Sequence, residues 1–263
     1  MKTTTKLLAL LLVFALAACI FAGCAREEAD TDSAYVQEKG TLVIGITDFA
    51  PMDYLENGKW IGFDADMAEA FAAYLGVKAE FVEIVWETKT MELNDKNIDC
   101  VWNGMTLTDA VKNAMETSNA YCNNAQVVVV KSDVAAQYQD IESIRGLKFV
   151  VEAGSAGAEE LDALGIPYIE ADSQADALME VAAGTSEACV IDLLMAGAMI
   201  GEGTSYTNLT YTVALNSEEY GVGFRKGSDL AAKLNEFFAA AYKDGSMLAT
   251  AEKYGVQESL IAQ

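Results

Sequence analysis

The chain has 263 residues, with 40 acidic against 17 basic side chains and a formal net charge of −23. That balance excludes nucleic acid and anionic membrane surfaces as electrostatic partners, because no basic patch exists to release counterions. Histidine is absent, so the commonest general base and metal ligand is missing, and neither a metal site nor a cofactor is expected.

The N-terminus places the protein outside the cytoplasm. Lys2 and Lys6 precede an uninterrupted apolar run from Leu7 to Ala18, the layout of a secretory signal and too short for a membrane span. Two small-residue-plus-cysteine sites follow. Leu16-Ala17-Ala18-Cys19 is the closer match to a lipoprotein lipobox, whereas Phe21-Ala22-Gly23-Cys24 sits where the apolar run meets the polar tail. The second position favours Cys24 as the lipidated residue, with Cys19 as the alternative. Residues 1–23 then form the signal peptide, and the acidic, apolar-poor stretch 24–34 reads as a flexible tether. The remaining stretch, about 230 residues, suffices for one large domain or two small ones with real cores.

Beyond the tether, strand and helix patterns alternate, which predicts an α/β fold with mostly parallel sheets. Gly40–Ile46 reads as a buried strand, Asp48–Tyr54 as a loop, and Gly62-Phe63-Asp64-Ala65-Asp66-Met67 opens an apolar-periodic helix ending at Leu75-Gly76-Val77. A strand around Ala79–Val85 exits at Trp86. The β-branched run Val127–Val130 reads as a strand buried on both faces. A second block repeats the pattern, with strands at Lys148–Val151, Pro167–Glu170 and Ala188–Ile191 and helices at Ala158–Leu164, Ser173–Ala183 and Leu193–Ile200. A strand at Tyr220–Gly227 and helices over Asp229–Lys243 and Ser246–Tyr254 complete the chain. Three cysteines persist past the signal. Cys100 and Cys189 read as small buried residues in strands, while Cys122 leaves open a disulfide with Cys100.

The wording and order of Gly40–Ile46, Asp48–Tyr54, the glycine-aspartate helix and the strand ending at Trp86 resemble the amino-acid branch of the bacterial solute-binding proteins, the receptors that feed ABC importers. The resemblance covers the chain after the tether and implies a two-lobed type II periplasmic-binding-protein fold with mixed sheets, flanking helices and two hinge crossovers, near Gln126–Lys131 and Asn216–Val222. It assigns 35–127 with 222–263 to one lobe and 128–221 to the other. It implies a monomer that captures a polar amino acid or small amine by hinge closure and presents it to a membrane permease while lipid-anchored to the outer face of the cell membrane.

Carried over residue by residue, the resemblance places Phe49 and Trp86 as aromatics against the solute, and Asn103, Gly104 and Thr106 as hydrogen-bonding groups. Ser155 and Ala156 fall in the glycine-rich turn that offers backbone N–H groups to an anion, and Asp192 falls where the family receives an α-ammonium. Asp192 is also a plausible helix N-cap. One departure stands out: Val111 occupies the place where family members usually carry an arginine for the carboxylate. Lys112, helix N-termini or a solute without a carboxylate there would each compensate. Two alternatives on the same architecture are a cyclohexadienyl-dehydratase-like enzyme using Glu83, Glu87, Glu152 or Lys112, and a sensory receptor.

Overall fold

A computed structural model of the protein describes residues 31–263. The expected signal peptide and both candidate lipidation sites, Cys24 and Cys19, lie outside the described residues. The expected tether ends earlier than 34, because Thr31 caps a helix, α1 (Asp32–Lys39), by accepting a hydrogen bond from Ala34 N.

The first half of the chain continues with β1 (Thr41–Ile46), a hairpin of β2 (Tyr54–Glu56) and β3 (Lys59–Ile61), α2 (Phe63–Tyr74) and β4 (Lys78–Glu83). The hairpin went unrecognised in the sequence, although its turn carries the Asn-Gly pair that suits two positive φ angles, 53° at Asn57 and 77° at Gly58. A single 3-10 turn at Trp86–Thr88 leads into α3 (Lys89–Asn94), followed by β5 (Cys100–Thr106), α4 (Asp109–Ala114), β6 (Glu116–Thr117) and β7 (Cys122–Asn124). β4, β1 and β5 pair in parallel. Helix α2 buries Phe63, Met67 and Phe71 at four-residue spacing, so one face meets the core. Phe71 and Phe238 pack against Trp102 at ring separations of 6.2 and 5.6 Å. Full burial of such side chains is worth about 1.5–3 kcal/mol each.

The chain then enters a second sheet through β8 (Gln126–Lys131). After the short α5 (Ile141–Ile144) it forms β9 (Phe149–Glu152), α6 (Ala156–Leu164), β10 (Tyr168–Ala171), α7 (Gln174–Ala183), β11 (Ala188–Asp192), α8 (Leu193–Met199) and β12 (Leu209–Ala214). It returns through β13 (Glu218–Phe224) and ends in α9 (Leu230–Asp244) and α10 (Ser246–Tyr254). The sheet orders are β4-β1-β5-β13-β6, with β7 also on β13, and β10-β9-β11-β8-β12. Each sheet joins three parallel strands to a crossover strand that runs antiparallel to them. The Val127–Val130 run is buried throughout, as expected, but antiparallel to both neighbours. Residues 126–127 pair in the second sheet and 218–221 in the first, a few residues from the lobe limits expected from the sequence.

Cys100, Cys122 and Cys189 are free and buried, so the Cys100–Cys122 disulfide left open by the sequence does not form. The two residues pair at opposite ends of β13, with Phe224 and Tyr220. Burial pushes all three thiols up from their ordinary range.

The return strand also carries the ionic anchor of the first lobe. The Arg225 guanidinium donates to Asp32 at 3.0 Å, to Asp99 Oδ1 at 3.3 Å and to the Ile98 carbonyl at 2.8 Å. Asp99 is fully buried and also accepts from Lys39 at 2.6 Å and Val43 N at 2.8 Å. Removing one member strands a buried charge. Arg225→Met should therefore destabilise the protein by about 3–5 kcal/mol in chemical denaturation; a loss below about 1 kcal/mol, the scale of an exposed pair, would show that the anchor contributes little.

Candidate functional site

The carboxyl ends of the parallel strands in the two sheets face one cleft, the place where open α/β sheets bind ligands. The first lobe lines it with Thr47 and Phe49 after β1, Trp86 and Lys89 after β4, and Asn103, Gly104 and Thr106 from β5. The second lobe adds Glu152 at the end of β9, Gly154, Ser155 and Ala156 in the turn to α6, Gln174 on α7 and Asp192 at the end of β11. All eight expected solute contacts, Phe49, Trp86, Asn103, Gly104, Thr106, Ser155, Ala156 and Asp192, thus come together in one cavity.

Their roles within it differ. Asn103 has no side-chain N–H left for a solute, since its Nδ2 donates to Thr47 O at 3.0 Å and to Asp53 Oδ2 at 2.8 Å. Its Oδ1 accepts from Thr47 N and Oγ1, so the residue clamps both ends of the loop between β1 and β2. Gly104 adopts φ +54°, and a Cβ there would lie 2.4 Å from the Phe49 ring; only glycine lets the ring sit flat on the strand. The Gly104 N–H is committed to Asp64 Oδ2 at 2.6 Å. Trp86 lines the cleft while packing with Leu93, Val101, Met105 and Val111. Trp102 is buried against Phe71 and Phe238 beneath the site.

Asp192 heads α8 but makes no side-chain capping bond, so the N-cap alternative does not account for it. Its Oδ1 accepts from Asn124 Nδ2 at 2.5 Å, Gln126 Nε2 at 3.0 Å and Tyr220 OH at 2.6 Å, and its Oδ2 from Gln174 Nε2. Glu218 shares the same donors, accepting from Asn124 at 2.6 Å, Gln126 at 2.8 Å and Thr106 Oγ1 at 2.9 Å. Burial and the Glu218 charge raise Asp192 to about 7.

The cleft's cation is Lys89, which the sequence reading missed. Its Nζ lies 4.6 Å over the Trp86 ring and donates to Trp86 O at 3.2 Å and, across the cleft, to Gly154 O at 3.1 Å. Burial pulls it below the ordinary lysine range. The available signal was positional, a lysine three residues after Trp86 at the start of a helix. Val111 packs in the apolar cluster of Trp86 and lines the cavity, whereas Lys112 is exposed outside the cleft. Of the four residues weighed for catalysis, Glu152 alone lines the cavity.

Opposite Lys89, Ser155 caps α6 by accepting from Ala158 N at 3.2 Å, leaving the first turn of that helix toward the cleft. At Gly154, φ +66°, a Cβ would lie 3.0 Å from the Glu87 backbone of the other lobe. The two loops approach so closely only because this residue has no side chain.

Residues 42–257 match the family described as bacterial extracellular solute-binding proteins, family 3. The L-cystine-binding protein TcyJ of Escherichia coli is 29% identical over 227 residues, 83% of this chain and 84% of that protein. A crystal structure of an ABC uptake transporter substrate binding protein from Streptococcus pneumoniae with bound histidine superposes with a TM-score of 0.79 at 27% identity, covering 86% of this chain and 96% of the other. The ancestral amino acid-binding protein AncCDT-1, a precursor of cyclohexadienyl dehydratase, superposes with a TM-score of 0.77 at 28% identity over 84% of this chain and 98% of its own. These neighbours share the two-lobed type II periplasmic-binding architecture.

Two predictions arise from this geometry. Gly165, also at φ +66°, has nothing near its would-be Cβ, so Gly154→Ala and Gly165→Ala carry the same backbone strain and only the first obstructs closure. Calorimetric titration should show weakened solute affinity for Gly154→Ala alone; equal affinities would mean that the approach to Glu87 does not govern closure. The pH dependence has a definite sign. Glu152 is raised from 4.5 to about 8 and Asp192 from 3.8 to about 7 by burial, so the folded protein holds more protons than the unfolded chain between those values. Their contribution is complete below about pH 4 and is lost as pH rises to about 8. Melting temperature should fall across that window, and Glu152→Gln should flatten the fall; an unchanged slope would place the titration elsewhere.

Proposed function

This chain belongs to the bacterial extracellular solute-binding proteins, family 3, and on that premise we propose that it captures a polar amino acid or a related small amine between its lobes and delivers it to the permease of an ABC importer. The observation that carries the reading is the convergence of Asp192 and Lys89, from opposite lobes, on one cavity. Asp192 suits an α-ammonium. It is held by neutral donors and has an Oδ2 that accepts only from Gln174 among protein groups.

Lys89 and the first turn of α6 suit an α-carboxylate, in place of the arginine that Val111 replaces. Phe49 and Trp86 supply apolar area for the rest of the solute. Thr106 keeps acceptor capacity on its hydroxyl after donating to Glu218. Binding closes the lobes to the extent that the solute prefers the closed state, and the closed surface is what a permease recognises. The lobe limits that best follow strand pairing are 31–124 with 218–263 and 126–214.

The chain is further assigned a signal peptide over 1–23, lipidation at Cys24 with Cys19 as alternative, and action as a monomer anchored to the outer face of the membrane. Among the described residues no helix is long and apolar enough to cross a membrane. The reported relatives and neighbours bear the names of binding proteins, which supports capture rather than catalysis as the task of the cleft.

A thermal-shift screen of the purified protein against the standard amino acids should raise the melting temperature with a subset of them, since a solute that binds only the folded state stabilises it. A flat response to the whole panel would reject the reading. Asp192→Asn should weaken the responding solutes by about 1.5–3 kcal/mol, the scale of a hydrogen bond to a charged group. Lys89→Met should weaken amino acids by a similar amount and spare amines that lack a carboxylate; equal losses for both would remove Lys89 from the carboxylate.

A further inference from the structure

One group in the cavity is used neither by the fold nor by the capture of an α-amino acid. Glu152 ends β9 beside Asp192 on β11, is 3% exposed and lines the cleft. Its Oε1 is buried with no hydrogen-bond partner among the protein's groups. Such an atom is costly in either protonation state, because a carboxylate oxygen needs a donor and a carboxylic hydroxyl needs an acceptor. The charges around it say which. The cavity is lined by three carboxylates, Glu152, Glu159 and Asp192, against the single cation Lys89. Lys89 gives its hydrogen bonds to the Trp86 and Gly154 carbonyls rather than to Glu152.

A zwitterionic amino acid brings no net charge and leaves that excess in place. We propose that the solute carries a second cationic group besides its α-ammonium, an ammonium, amidinium or guanidinium, and that the Oε1 of Glu152 receives it. The proposal rests on the reading of the cleft as an amino-acid site and narrows it to a dicationic amino acid. The charged neighbours of Glu152 are Asp192 on β11, Lys89 on α3 and Asp176 on α7. Burial favours the protonated acid, so a cation that pairs with the carboxylate displaces a proton, which passes to the solvent buffer.

The test compares L-lysine with L-norleucine, which has the same carbon chain with hydrogen in place of the terminal ammonium, together with L-ornithine and L-arginine to vary the reach of the second cation. Titration calorimetry of the purified protein should give at least one dicationic amino acid an affinity about tenfold or more above that of norleucine. Near neutral pH its apparent binding heat should vary with the ionisation enthalpy of the buffer, as proton release requires. In Glu152→Gln the preference over norleucine should shrink by about tenfold and the buffer dependence should fall to that of norleucine, which keeps only the proton that the α-ammonium displaces from Asp192, with the melting temperature of the variant checking that it folds. Norleucine or another neutral amino acid binding as tightly as every dicationic one would overturn the proposal while leaving an amino-acid receptor. So would a preference that survives in Glu152→Gln. Binding of no amino acid at all would overturn the underlying reading and the proposal with it.

Discussion

The structure turns on a knot of buried hydrogen bonds where the chain crosses between the sheets. Asp192 lies close enough to Glu218 for the Glu218 charge to push its carboxyl up, and the two share the donors Asn124 and Gln126. Asn124 ends a strand of the first sheet, Gln126 begins one of the second, and Tyr220 donates from the returning strand. The same atoms therefore join the two crossovers and hold the carboxyl best placed for an ammonium. Buried polar networks of this kind are worth their desolvation only when fully satisfied. The knot is satisfied from both lobes, which couples the hinge to the site in one set of contacts.

Closure follows a second constraint. The loops that meet across the cleft do so at Gly154, where a side chain would meet the Glu87 backbone, and Lys89 bonds the Gly154 carbonyl from the other lobe. Bringing the lobes this close takes Lys89, Glu152 and Asp192 out of water together. Burial shifts the lysine down and the two acids up, each toward its neutral form. A charged solute reverses that tendency by pairing with them. Closing the cleft around a solute thus differs energetically from closing it on protein groups alone, which is the property a receptor needs to report that it is loaded.

Much of this was legible in the sequence, because it depends on local patterns. Alternating strand and helix signals gave the α/β class, and the eight expected contact residues meet in one cavity. The rest depended on long-range geometry. Lys89 carries no motif and becomes a cleft residue only through the turn that Trp86 begins. Asn103 is an expected solute contact, yet the two ends of a loop about fifty residues away consume its amide. The antiparallel course of Val127–Val130 follows from the hinge, which a buried apolar run cannot reveal. The tether expected over 24–34 takes in the first turn of α1, because that stretch is polar with few apolar residues; Asp32 is held there by Arg225, nearly two hundred positions on.

The central claim is that a solute bound between Asp192 and Lys89 holds the lobes together. Small-angle X-ray scattering of the purified protein, with and without a saturating amount of the amino acid that most raises its melting temperature, tests it directly. The radius of gyration should be smaller with the amino acid, with no such contraction in Asp192→Asn at the same concentration. A radius that does not change while calorimetry shows the site filled would contradict closure as the receptor's response.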